Sequence, residues 1–96
     1  MIIVVAKVIT KQGKQNNFLN LAQNCINETL KEKGNISYTL LAETGDDRKF
    51  TFLEEWVTQE DLDIHMQTSH FKQFGVGLGE IIDAPLEINI FEAQKK

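Results

Sequence analysis

Four stretches of this 96-residue chain carry strand spacing and two carry helical spacing, and their order leaves few folds open. Ile2 to Thr10 is rich in Ile and Val and apolar on both faces until Lys7, which predicts a central strand covered on both sides. Lys11-Gln12-Gly13 turns out of it. From Lys14 to Lys33, the residues Phe18, Leu21, Ala22, Cys25, Ile26, Thr29 and Leu30 recur at three-and-four spacing. That is the stripe of an amphipathic helix, which Gly34 is expected to end. Asn35 to Glu43 and Lys49 to Val57 read as strands joined by a hairpin through Thr44-Gly45-Asp46-Asp47-Arg48. Thr58 and Asp61 then stand at capping-box spacing, and Glu60, Asp61 and Asp63 fall where a helix dipole favours negative charge. Thr68-Ser69 offers a second N-cap, so a break is expected there and a new helical piece from His70. Its apolar face holds Phe71, Phe74 and Leu78. Helical signals run to Ile82. Asp83-Ala84-Pro85 stops them, and Leu86 to Glu92 alternates as a last strand with Leu86, Ile88, Ile90 and Glu92 on one face.

The order β-α-β-β-α-β is the split βαβ of a ferredoxin-like α+β sandwich, here one domain over residues 1–96. Two helices cover one face of a four-stranded antiparallel sheet and leave the other bare. Because the strands are apolar on both faces, that bare face predicts sheet-on-sheet association into a homodimer. A net charge of -4 gives no electrostatic reason to bind nucleic acid or anionic lipid. One cysteine excludes an intramolecular disulfide and suits a reducing compartment. No basic region precedes the short apolar N-terminal run, so neither a signal peptide nor a membrane span is expected, and the expected location is cytoplasmic.

Several residues invite chemistry and have a plainer reading. Cys25 lies mid-stripe with no basic neighbour spaced to activate it, and so reads as a buried core thiol. Asp46 and Asp47 read as a solvated turn. Gly75-Val76-Gly77-Leu78-Gly79 lies inside a helical stretch instead of between a strand and a helix, which argues against a phosphate loop and for close packing, a bend or a lid. His65 and His70, five apart, point about 140° from each other on a straight helix, which argues against a shared metal site. His70 reads equally as a surface residue at a helix start, and His65 as a polar residue hydrogen-bonded at the core edge. Glu54 and Glu55 point to opposite faces of their strand and cannot form an acid and base pair. Phe50, Phe52, Glu54 and Trp56 share a face. A carboxylate in that company is either desolvated or held by a partner, with His65 and Tyr38 the candidates. Glu54 serves equally as an anchor for the helix start or as a dimer contact.

Glu54-x-Trp56 followed by Leu62-x-x-His65-x-x-x-Ser69-His70-Phe71-x-x-Phe74 resembles the signature of the antibiotic biosynthesis monooxygenase (ABM) domain family. Gly34-Asn35-Ile36-Ser37-Tyr38 resembles the family's turn and second strand, and Ala6 with Gly13 its opening. The resemblance implies a dimeric α/β barrel and an oxidation of a quinol-like or other electron-rich aromatic by dioxygen, without metal or other cofactor. It also implies that His65 is functional. On that basis Trp56, Phe52, Phe71 and Phe74 are expected to line an aromatic pocket, and His65 to act as base. Tyr38 or His70 would stabilise the developing oxyanion, and Lys7 would hold an anionic group if it points inward. The catalytic set expected is His65, Trp56, Glu54 and Tyr38; the substrate-binding set is Phe52, His70, Phe71 and Phe74. The family's haem-degrading branch carries an asparagine on the first strand, where this chain has Val5-Ala6-Lys7. Its isomerase branch acts on a phosphorylated sugar, for which this chain offers only Lys7, Lys49 and Lys72. The remaining alternatives are an isomerase of a small oxygenated metabolite and a non-catalytic module that binds an aromatic ligand.

Overall fold

The computed structural model describes all 96 residues, as β1 (Ile2–Ile9), α1 (Gln15–Thr29), β2 (Asn35–Ala42), β3 (Lys49–Trp56), α2 (Gln59–Met66), α3 (Ser69–Leu78) and β4 (Glu87–Glu92). The four strands make one antiparallel sheet in the order β2-β3-β1-β4. This is the ferredoxin-like arrangement, with its second helix split in two. No helix is long and apolar enough to cross a membrane.

The core lies between the helices and one sheet face. Alternation places Ile2, Val4, Ala6 and Val8 of β1 beside Phe50, Phe52, Glu54 and Trp56 of β3, all buried. Phe18 of α1 fits among them, 4.8 Å from the Phe50 ring centroid and edge-on to Phe52 at 6.1 Å. Burying each such ring contributes roughly 1.5–3 kcal/mol. β1 is central as expected, but only this face is covered. On the other, Ile3, Val5 and Ile9 are half-buried and Leu41, Leu53 and Phe91 exposed, because no helix crosses it.

Both helical stretches end earlier than their patterns suggest. α1 stops at Thr29, and residues 30–34 close instead through short backbone bonds from Lys31 to Glu28 and from Glu32 to Thr29. Gly34 therefore is not a left-handed cap; that role of a positive φ falls only to Gly13, at 83°, in the turn into α1. Gly34 is needed for close approach. A Cβ there would overlap Cβ and Cγ of Asp61, whose amide the Thr58 side chain caps at 3.1 Å. Asp61 cannot retreat without disturbing that cap, so Gly34→Ala should lower stability by about 1–3 kcal/mol, measured by urea denaturation. α3 ends at Leu78, and Ile82 pairs with Thr10 in an isolated bridge. Within α3, Gly77 is the close-packing glycine, since a Cβ would meet the Leu21 side chain at 2.7 Å.

The expected break is real, and Thr68 makes it. Its hydroxyl donates to the His65 carbonyl at 2.7 Å, closing α2, and accepts from the Phe71 amide at 3.3 Å, opening α3. One side chain thus fixes how the two histidines meet.

Candidate functional site

Between the helices and the sheet lies a cavity whose walls come from β1, β2, β3, β4, α2 and α3. Val4, Ala6, Val8, Phe52, Leu62, Phe71, Phe74, Leu78, Ile88 and Ile90 supply its apolar surface, and Tyr38, Glu54 and His65 are its titratable groups. It measures about 90 Å³ by the space open to a water's centre. That is several times the roughly 10–15 Å³ one water needs. No lysine or arginine reaches it.

His65 is 1% exposed. Its Nδ1 lies 2.6 Å from Glu32 Oε2, and the same oxygen lies 2.8 Å from His70 Nε2. A carboxylate oxygen accepts, so each imidazole donates, which puts the His65 proton on Nδ1. Its Nε2 is then a bare acceptor, buried and without a protein partner. Burial pushes the His65 pKa down, an effect that the hydrogen bond and charge of Glu32 partly offset and His70 adds to. The ring is neutral at pH 7. Trp56 at 4.7 Å between centroids, Phe71 at 5.0 Å and Tyr38 at 5.6 Å hold its plane.

Glu54 is 6% exposed, and its partner is neither Tyr38 nor His65. Trp56 Nε1 donates to Glu54 Oε1 at 3.0 Å. Burial raises the Glu54 pKa from 4.5 to about 7; the Trp56 bond pulls it down and Glu32 pushes it up. The folded state holds this proton more tightly than the unfolded chain, so its stabilisation is complete below pH 4.5 and lost as pH rises through about 7. Relative to wild type, Glu54→Gln should therefore gain a few kcal/mol between pH 5 and 8, read from denaturant midpoints. Parallel pH curves for the two proteins would contradict it.

Tyr38 lines the cavity, and burial first, then the Glu54 charge, lifts its pKa far above the phenol range, so it is a donor and not a base. Its hydroxyl meets Cys25 Sγ at 3.7 Å. Burial also raises the Cys25 pKa, as expected of a core thiol.

The fold thus brings Tyr38, Phe52, Glu54, His65, Phe71 and Phe74 to one cavity and excludes three expected participants. Trp56 is 0% exposed and does not line the cavity, because its strand position turns it behind Glu54 and His65. His70 faces Glu32 instead of the cavity. Lys7 points to the open sheet face, 3.7 Å from Glu87. The two histidines, which a straight helix would hold apart, meet at Glu32 because the helix breaks at Thr68. Glu32 is a site residue that the sequence patterns do not single out. It lies seven residues after Cys25, on the apolar stripe had the helix continued, and a carboxylate there was the available signal.

The chain matches the family model of antibiotic biosynthesis monooxygenase over residues 1–75. It belongs to the ABM family. A relative from Bacillus subtilis (strain 168), named "Putative monooxygenase YcnE", is 32% identical over 88 residues, which cover 92% of this chain and 93% of that one. Among solved ABM-like folds, a conserved protein of Methanosarcina mazei Go1 is 41% identical at a TM-score of 0.93, covering 97% of this chain and 92% of that one. A crystal structure described as an antibiotic biosynthesis monooxygenase is 25% identical at 0.92, covering 99% and 100%. The ABM membership agrees with the four-stranded antiparallel sheet and its covering helices.

Proposed function

We propose that this ABM chain is a monooxygenase that oxidises a neutral, quinol-like or otherwise electron-rich aromatic with dioxygen, needing no metal or organic cofactor for the step. The observation that carries the proposal is the bare, buried Nε2 of His65 in a largely apolar cavity, with Nδ1 already taken by Glu32. A ring hydroxyl of the substrate donates to Nε2 and passes its proton there. Glu32 keeps the imidazole in the required tautomer and stabilises the imidazolium that forms.

The substrate anion then gives one electron to dioxygen. The resulting superoxide and substrate radical combine to form the new C–O bond. The proton held by His65 returns to the terminal peroxide oxygen. Glu54 then takes the hydrogen from the oxygenated ring carbon, and that C–H electron pair forms the new carbonyl as the O–O bond breaks. The departing hydroxide collects the proton from Glu54 and leaves as water. For a hydroquinone and one dioxygen the products are a hydroxyquinone and one water. Tyr38, as a neutral donor, stabilises the oxyanion, and Glu54, titrating near 7, is a second proton carrier. Phe52, Phe71 and Phe74 hold the flat ring.

A phosphorylated sugar, the substrate of an isomerase reading, finds no counter-charge in this cavity. We also read the protein as a cytoplasmic homodimer joined through the sheet face bearing Leu41, Leu53 and Phe91, large apolar side chains that water otherwise meets. A monomer mass at micromolar concentration by sedimentation would contradict that assembly. For the activity, chelator-treated protein should consume oxygen with hydroquinones in proportion to enzyme. Binding of the same compounds without uptake would replace the oxygenase with a binding module.

A further inference from the structure

We propose that Glu32, His65 and His70 form a binding site for one divalent cation of the zinc class, Zn²⁺, Co²⁺ or Ni²⁺. Three elements supply one ligand atom each, and these atoms lie within 4.8 Å of one another. Glu32 comes from the turn after α1, His65 from the last turn of α2 and His70 from the first turn of α3. Two imidazoles and a carboxylate suit zinc-class ions, whereas Mg²⁺ and Ca²⁺ prefer all-oxygen shells.

Two features beyond proximity point to a cation. The Glu32 side chain is 13% exposed, yet its only ion-pairing partners are the two histidines, with no lysine or arginine in reach. Its oxygens are also used unequally: Oε2 takes both histidines while Oε1 is buried with no partner. A cation between the three groups would neutralise the carboxylate and bring its second oxygen into use.

The present spacings of 2.6 and 2.8 Å to the shared oxygen must open to roughly 3.3 Å around a tetrahedral ion. Glu32 stands in a turn and not in a helix, and His70 is 15% exposed, so the group has room to adjust and a route for the ion. Three protein ligands leave a position for water.

Metal on Nδ1 moves the His65 proton to Nε2, which makes that atom a donor in place of an acceptor. Resting on the oxygenase reading, the bound ion therefore arrests turnover.

The chain has only two histidines, so imidazole NMR of the tag-free wild-type protein reads the site directly. One equivalent of Zn²⁺ should move the ring resonances of both together, and Co²⁺ should give an intensified visible d–d spectrum at 1:1. His70→Gln and Glu32→Gln, checked for folding by circular dichroism, should weaken Co²⁺ binding at least tenfold, and Asp46→Asn should not. Resonances that stay put, or only one histidine responding, would overturn the site, as would Co²⁺ binding unchanged in His70→Gln. These readouts hold whether or not the protein consumes oxygen. Where it does, one equivalent of Zn²⁺ should stop the uptake.

Discussion

Replacing His65 with Gln should lower turnover by about 10²–10⁴-fold, the usual contribution of a positioned general base. Gln is the informative choice because its amide can still donate to Glu32, which now receives the His65 Nδ1 proton at 2.6 Å. The loop and both helix ends should therefore stay in place while the basic nitrogen disappears. Nearly all of the loss should fall on kcat, since the apolar walls that bind the ring are untouched. Stopped-flow oxygen uptake with a hydroquinone measures it, and circular dichroism controls for folding. A variant that keeps a tenth or more of the wild-type rate would remove His65 from the chemistry.

The second large effect concerns Trp56, which supports the site from behind. It is the largest fully buried side chain, packed at a tilt against His65 and hydrogen-bonded to Glu54. Trp56→Ala should cost about 3–5 kcal/mol, as large-to-small changes of this kind do. That is a large share of the roughly 5–15 kcal/mol that holds a small domain together. Trp56→Phe separates packing from polarity. It keeps a ring against His65 but deletes the donor to Glu54 Oε1, the one contact that lowers the Glu54 pKa. The Glu54 pKa should then rise above its present value of about 7, and the limb of the pH–rate profile that it governs should move to higher pH. Urea denaturation reads the first variant and the pH–rate profile the second. An unshifted limb in Trp56→Phe would mean that Glu54 does not set it.

What the sequence revealed and what it hid divide along physical lines. Period-two and period-3.6 patterns report which face is buried, so the four strands, α1 and the shared face of Phe50, Phe52, Glu54 and Trp56 were legible. Capping chemistry is local, and so the Thr58 and Thr68 caps were legible too. Helix ends set by tertiary contact were not. The early stop of α1 at Thr29 swings Glu32 inward, and no residue near it announces a partner 33 positions away. For the same reason a straight-helix projection misplaced His70: the turn angle at Thr68 depends on how α2 and α3 pack, which spacing does not encode. Side-chain depth was also hidden. Trp56 shares the strand face that supplies the cavity, but only the packed structure reveals that it stands behind Glu54 instead of beside it.

The central claim is that His65 takes a proton from a substrate hydroxyl inside the cavity. The most direct measurement is anaerobic titration of the protein, at a pH below the phenol's own pKa, with a nitro-substituted naphthol acidic enough to give its proton to a buried imidazole and whose neutral and ionised forms absorb differently. Binding to wild type should give the anion spectrum, and binding to His65→Gln the neutral one. A neutral spectrum with both proteins would contradict proton transfer to His65.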